Sequence, residues 1–148
     1  MRGAATIRAA AVADYPALCA AAVPCGPGAW DTLPDAATFA ARVSEGSALV
    51  AVYDEAIVGY LLASPLAYDD DVPVSLWIDA LTVVPGWRRR GVATALCAAL
   101  AADAHTLGAR ALLTSPPSDP ALAALLARVG FVAHREGVLL WRLNGDSL

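Results

Sequence analysis

The chain has 148 residues, 58% of them hydrophobic and 16% charged, with a formal net charge of −4 at pH 7. That is enough apolar material for one compact domain over residues 1–148, and the acidic balance excludes a general nucleic-acid-binding surface. The apolar runs are broken by Asp, Arg, Gly or Pro short of membrane-spanning length and no signal-peptide core opens the chain, so a cytoplasmic protein without membrane association is expected.

Residues 5–9 read as a first strand. Asp14 is placed to cap a helix through Pro16, Leu18 and Cys19 to about Val23. The breakers Pro24-Cys25-Gly26-Pro27-Gly28 form a loop, and a second helix follows Pro34-Asp35, with Phe39 and Val43 at helical spacing, to near Gly46. Ala48 to Tyr53 and Ile57 to Ala63 make a hairpin across Asp54-Glu55-Ala56. Asp69-Asp70-Asp71 turns the chain into a run from Val74 to Val84, which ends at Pro85-Gly86. A helix from near Arg90 to Leu107 sets Val92, Leu96, Ala99, Leu100 and Leu107 on one face, with Gly108 at its C-terminus. Ala109 to Thr114 is an apolar strand, Asp119 to Val129 a helix stopped by Gly130, and Phe131–Arg135 with Val138–Leu143 a closing hairpin. One strand–helix–strand unit late in a hairpin-connected order predicts an α/β fold, a mostly antiparallel mixed sheet with one parallel junction, flanked by helices.

Cys19, Cys25 and Cys97 are odd in number and widely spaced, which argues against disulfides and against zinc; Cys19 and Cys97 read as buried thiols. His105 and His134 are too scattered for a metal cluster, so no metal is expected. No Gly-x-Ser-x-Gly elbow presents a serine nucleophile. There is no lysine, and three of the ten basic residues stand together as Arg88, Arg89 and Arg90. Cations at the start of a helix oppose its dipole, and a bound anion would account for them.

The stretch Leu81-Thr82-Val83-Val84-Pro85-Gly86-Trp87-Arg88-Arg89-Arg90-Gly91-Val92-Ala93-Thr94 follows a strand and opens a long helix. Gly91 lets the backbone approach a ligand, Ala93 keeps the next position small, and the first helical amides have no intrahelical partner; a pyrophosphate fits there. Gly86 and Gly91 have the glycine spacing of a P-loop, but Val92-Ala93 stand where Lys-Ser/Thr would grip phosphate and magnesium.

Leu81-x-Val83-x-Pro85-x-x-Arg88-x-x-Gly91-x-Ala93-x-x-Leu96 resembles motif A of the GCN5-related N-acetyltransferase (GNAT) family, with its Arg/Gln-x-x-Gly-x-Gly/Ala core. Asp119 to Phe131, ending Val129-Gly130-Phe131, resembles the family's motif B, and the element order matches almost the whole chain. The resemblance implies a GNAT-like fold and an acetyltransferase that uses acetyl-CoA as co-substrate. It places the pyrophosphate on Arg88, Arg89, Arg90, Gly91, Val92, Ala93 and Thr94, and the pantetheine arm along Leu81, Thr82 and Val83, with the Val83 N–H as the oxyanion donor. Asp119 and Leu126 lie where family members often carry a cofactor-side Asn and a thiolate-protonating Tyr. The usual acid is therefore missing, with water or Tyr60 as substitutes.

Asp79 interrupts the apolar run Leu76-Trp77-Ile78 … Leu81. A charge in a central strand either bonds a neighbouring backbone group or arginine, or serves as base and amine contact; Glu55 is the other carboxylate near the strand. Family topology puts the loop Val23 to Leu33, with Trp30 and Asp31, and the turn Arg135-Glu136-Gly137 at the acceptor site. The acceptor would be a small-molecule or protein amine. An acyl-CoA-binding module without catalysis, acting on a partner, is the alternative, and the exposed closing strands would suit a homodimer.

Overall fold

The computed structural model describes residues 3–26, 33–66, 75–135 and 137–143. Its strands are β1 (Thr6–Ala9), β2 (Ser47–Tyr53), β3 (Ala56–Leu66), β4 (Ser75–Val83), β5 (Ala111–Thr114), β6 (Val132–Arg135) and β7 (Val138–Arg142). Its α-helices, among the described residues, are α1 (Tyr15–Ala22), α2 (Ala36–Glu45), α3 (Val92–Thr106) and α4 (Pro120–Val129). The strands form one sheet in the order β1-β2-β3-β4-β5-β7-β6. Only β4 and β5 pair in parallel, through Ser75–Ala111, Leu76–Leu112 and Trp77–Leu113. They are joined by α3, the kind of crossover that parallel neighbours require.

The sheet has helices on both faces. Leu96, Cys97 and Leu100 of α3 and Leu126 of α4 pack with Leu49, Leu61 and Leu76 on one side. Leu18 of α1 and Phe39 of α2 pack with Val50, Tyr60 and Leu62 on the other. Covering both faces explains why Ser47 to Ala51 and Ile57 to Ala63 are buried without interruption, so these strands read as apolar runs rather than alternations. The hairpin between β2 and β3 is tighter than the spacing suggests. Tyr53 pairs with Ala56, so Asp54 and Glu55 alone make the turn, both at positive φ (51° and 65°).

Three local expectations change. Asp14 does not cap α1: a 3-10 turn, Val12–Asp14, precedes the helix. The Asp14 carboxylate instead accepts from the Ala11 N–H (2.7 Å) and pairs with Arg8 (2.8 Å). Leu107 lies past the end of α3 and is 55% exposed, because Gly108 turns the chain away before it can join the face that Val92, Leu96 and Leu100 bury. Cys19 is only half-buried, whereas Cys97 is fully buried and desolvation pushes its thiol up to about 11.

Gly130 ends α4 at φ 140°, and its N–H and that of Phe131 both donate to the Leu126 carbonyl (3.1 and 3.0 Å). A Cβ there would stand 2.6 Å from the Trp141 indole nitrogen. Gly130→Ala is therefore expected to cost roughly 3 kcal/mol or more, from backbone strain and overpacking together. Urea unfolding checks this; a loss below 1 kcal/mol would show that the Trp141 ring yields freely.

Candidate functional site

Beyond Trp77, β4 has no pairing with β5. The break coincides with an irregularity on the other edge: Ile78 pairs with Ala63 and Ala80 with Leu62, leaving Asp79 as an extra residue in β4. Such a bulge bends its strand and increases twist, which parts β4 from its parallel neighbour. At the far end the Val84 N–H donates to the Val58 carbonyl (3.0 Å). Peptide groups alternate along a strand, so the N–H groups of Leu81 and Val83 face away from β3, into the opening toward β5. Leu81, Thr82 and Val83 are half-buried there.

The strand then enters the turn that precedes α3. Trp87 is buried against Tyr53, with ring centroids 4.9 Å apart, and Arg90 lies over the Trp87 ring at 5.3 Å. Arg89 has φ 63° and Gly91 φ 80°, so two left-handed residues curl the backbone. Arg89 is a non-glycine residue in a region that costs energy, the kind of strain found at ligand clamps. Gly91 caps α3 without a side-chain bond, and the first intrahelical bond is Ala95 N–H to the Gly91 carbonyl (2.9 Å). The N–H groups of Val92, Ala93 and Thr94 therefore have no partner within the helix. Val92 itself is core, so only its backbone is offered, while Gly91 and Thr94 are exposed. None of Arg88, Arg89 and Arg90 meets a carboxylate among the described residues. The Arg88 side chain folds back along β4, its Nε donating to the Val83 carbonyl (3.0 Å). A groove of about 350 Å³ reaches Arg90 and Gly91 from the β1 side, between residues 3–5 and Trp87. It adjoins the turn and not the opening beside β5.

Asp79 is not isolated. Arg42 of α2 donates from Nε to its Oδ2 (2.8 Å), and the Ser64 hydroxyl approaches its Oδ1 (3.3 Å). The arginine partner foreseen for a charge in this strand is thus present, at the bulge where the opening begins. Arg42 was not singled out by sequence, although it follows the buried Phe39 by one helical turn and so shares its inward side. Glu55 is exposed in the β2–β3 turn, away from this group. Asp119 caps α4, accepting from the Ala121 N–H (3.0 Å), with Pro120 in the first turn. Leu126 is core, 3% exposed, and has no polar atom to offer. Trp30, and Asp31 with it, lies outside the described residues.

Two further groups lie at this end of β4. The Cys25 thiol contacts the Val83 carbonyl (3.7 Å), and burial pushes its pKa up against the opposing influence of Arg88. Tyr60, opposite Thr82, is fully buried, its hydroxyl without a hydrogen-bond partner among the described residues, and desolvation raises its pKa against the opposing influence of Thr82. Among the described residues no group of His, Cys, Asp and Glu could hold a metal ion, and no helix is long and apolar enough to cross a membrane.

A bulged strand with an open edge, leading into a helix start with orphan amides and arginines that meet no carboxylate among the described residues, can bind an extended ligand with an anionic tail. A family model described as the acetyltransferase (GNAT) family matches residues 15–131. No curated protein matches the sequence significantly. A GNAT-family acetyltransferase from Staphylococcus aureus Mu50 has a similar structure at TM-score 0.79 and 13% identity, over 95% of this chain and 100% of that one. The PaiA N-acetyltransferase of Thermoplasma acidophilum, in complex with coenzyme A, gives 0.75 at 9% identity over 95% and 99%. The GNAT-family N-acetyltransferase YhbS of Escherichia coli, in complex with CoA, gives 0.70 at 24% identity over 96% and 86%. At these identities the likeness is one of fold.

Proposed function

The chain belongs to the acetyltransferase (GNAT) family, and from that premise we propose that it transfers an acetyl group from acetyl-CoA to a primary amine by direct attack. The observation that carries the reading is the unpaired edge of β4 beyond Trp77, continuous with the orphan amides after Gly91. Two structures of this fold hold coenzyme A, which supports an acyl-CoA as donor.

In this reading the amides of Val92, Ala93 and Thr94, with Arg89 and Arg90, take the pyrophosphate. Arg88 leaves the Val83 carbonyl as the pantetheine arm pairs with Leu81 and Val83. An arm that comes from the pyrophosphate side meets Val83 before Leu81, so its thioester end lies at Leu81, about 7 Å along the strand from Asp79. The Leu81 N–H, rather than the Val83 N–H that the resemblance implies, then donates to the thioester oxygen, an interaction worth about 3 kcal/mol in the barrier when such a donor is well placed. Asp79 receives the amine and its proton. The lone pair of the neutral amine so formed makes the C–N bond, and the nitrogen gives its second proton to solvent. The tetrahedral oxyanion collapses, the C–S bond breaks and CoA leaves as thiolate, which takes up a proton from water as pH allows. A thiol of pKa about 8.5 leaves without a strong side-chain acid, so the lack of a phenol at Leu126 does not stop the reaction. We place the protein in the cytoplasm, in keeping with its free thiols. Leu126 also favours a second reading, an acyl-CoA-binding module without turnover; thiol release with any acceptor separates the two.

Acetyl-CoA at a hundredfold excess over its dissociation constant should stabilise the fold by about 2.7 kcal/mol. A thermal scan with millimolar acetyl-CoA or CoA tests this, and an unchanged midpoint would remove both readings.

A further inference from the structure

Resting on that reading, we infer that the acceptor is an α-amino acid, or an amine with a carboxylate equally close, held by Asp79 and Arg42 together. The two residues come from different layers, the β4 bulge and α2, and meet where β4 has parted from β5. Neither is sealed off: their side chains are 29% and 26% exposed. They touch at one point, Arg42 Nε to Asp79 Oδ2 at 2.8 Å, while the second carboxylate oxygen is turned to Ser64. A closed bidentate pair would use two guanidinium nitrogens and both oxygens. Here both Arg42 Nη groups remain without a partner among the described residues.

Anchoring α2 to the sheet gives little reason for such a pair. Phe39 already fixes the helix by complete burial, and a half-buried ion pair adds little net stability. Its electrostatics do favour one kind of ligand. A carboxylate beside a guanidinium is the complement of an ammonium beside a carboxylate. An ordinary cationic amine docking on Asp79 would bring its positive charge next to Arg42, which opposes binding. An amino acid cancels that repulsion with its own carboxylate, which accepts hydrogen bonds from the Arg42 Nη groups.

The test uses the full chain with acetyl-CoA, measuring thiol release with the standard L-amino acids and with the amines left when each loses its carboxylate. We expect at least one amino acid to exceed its decarboxylated counterpart in kcat/KM by about 10²-fold, the scale of a charge-assisted contact. Arg42→Gln should bring that ratio to within a few-fold of one, and Arg42→Lys, which keeps the charge without the fork, should leave it intermediate. The wild-type ratio needs no variant, so the test survives if Arg42→Gln folds poorly. Plain amines turned over as well as amino acids, or a preference that survives Arg42→Gln, would overturn the inference. So would the absence of any turnover with amino acids in samples that acetyl-CoA stabilises. Samples that acetyl-CoA does not stabilise would instead refute the acetyltransferase reading beneath it.

Discussion

Replacing Gly91 by valine is expected to lower affinity for coenzyme A by about 10²-fold or more, while costing the fold only about 1–2 kcal/mol. The two effects have different origins. Gly91 has φ 80°, so any L side chain there carries the left-handed strain that sets the folding cost. Nothing lies within 4 Å of where its Cβ would stand, so the free protein has no steric objection. That open space lies over the start of α3, where the proposed pyrophosphate must come within hydrogen-bonding distance of the amides that follow. A β-branched side chain fills it and holds the anion off. Gly91→Ala supplies the same strain with less bulk, and its affinity should fall between the two. Calorimetric titration with CoA, alongside urea unfolding of each variant, separates the terms. Parental affinity in Gly91→Val would mean that the phosphates are not bound at this turn.

How much of this was legible in the sequence follows from how local each feature is. The strand–turn–helix at Leu81 to Thr94 is written in neighbouring residues: a β-rich run, Pro85-Gly86 to stop it, and Gly91 to admit a left-handed turn. The helix starts after Asp35 and at Asp119 are equally local, and the structure adds that each aspartate caps its helix, Asp35 accepting from the Thr38 N–H at 2.8 Å. Asp14 misled because the same carboxylate that can cap a helix can reach back to its own N-terminal turn, and the Arg8 side chain drew it there. The bulge at Asp79 was out of reach, since it depends on how β3 pairs with β4, not on either strand alone. The same holds for Arg42, 37 residues away from the carboxylate it binds. A sequence read in windows shows that Asp79 needs a partner; only the packing of α2 on the sheet supplies it. Leu126, where the resemblance places a cofactor-side position, is a member of the core cluster that also holds Leu96 and Leu100 of α3, which a sequence window does not show.

Asp79→Asn is expected to reduce turnover with the best acceptor by about 10²-fold or more, the usual scale for a positioned base, while leaving acetyl-CoA affinity nearly unchanged. The substitution is mild in shape. The asparagine oxygen can still accept from Arg42, and its amide can donate to the Ser64 hydroxyl, which accepts as readily as it donates. Arg42 loses its counter-charge, but at 26% exposure water compensates for most of it, so stability should fall by no more than about 1 kcal/mol. What disappears is the negative charge that receives the ammonium and its proton. The cofactor contacts proposed for Val83 and for Val92 to Thr94 are backbone N–H groups, which the change does not touch. Combining it with Arg42→Gln gives a sharper test. If both residues hold one amino-acid acceptor, the double variant should lose less than the product of the single losses, because either change alone already breaks the zwitterion's grip. Losses in kcat/KM that simply multiply would mean the two act separately, and undiminished turnover in Asp79→Asn would remove Asp79 from the chemistry.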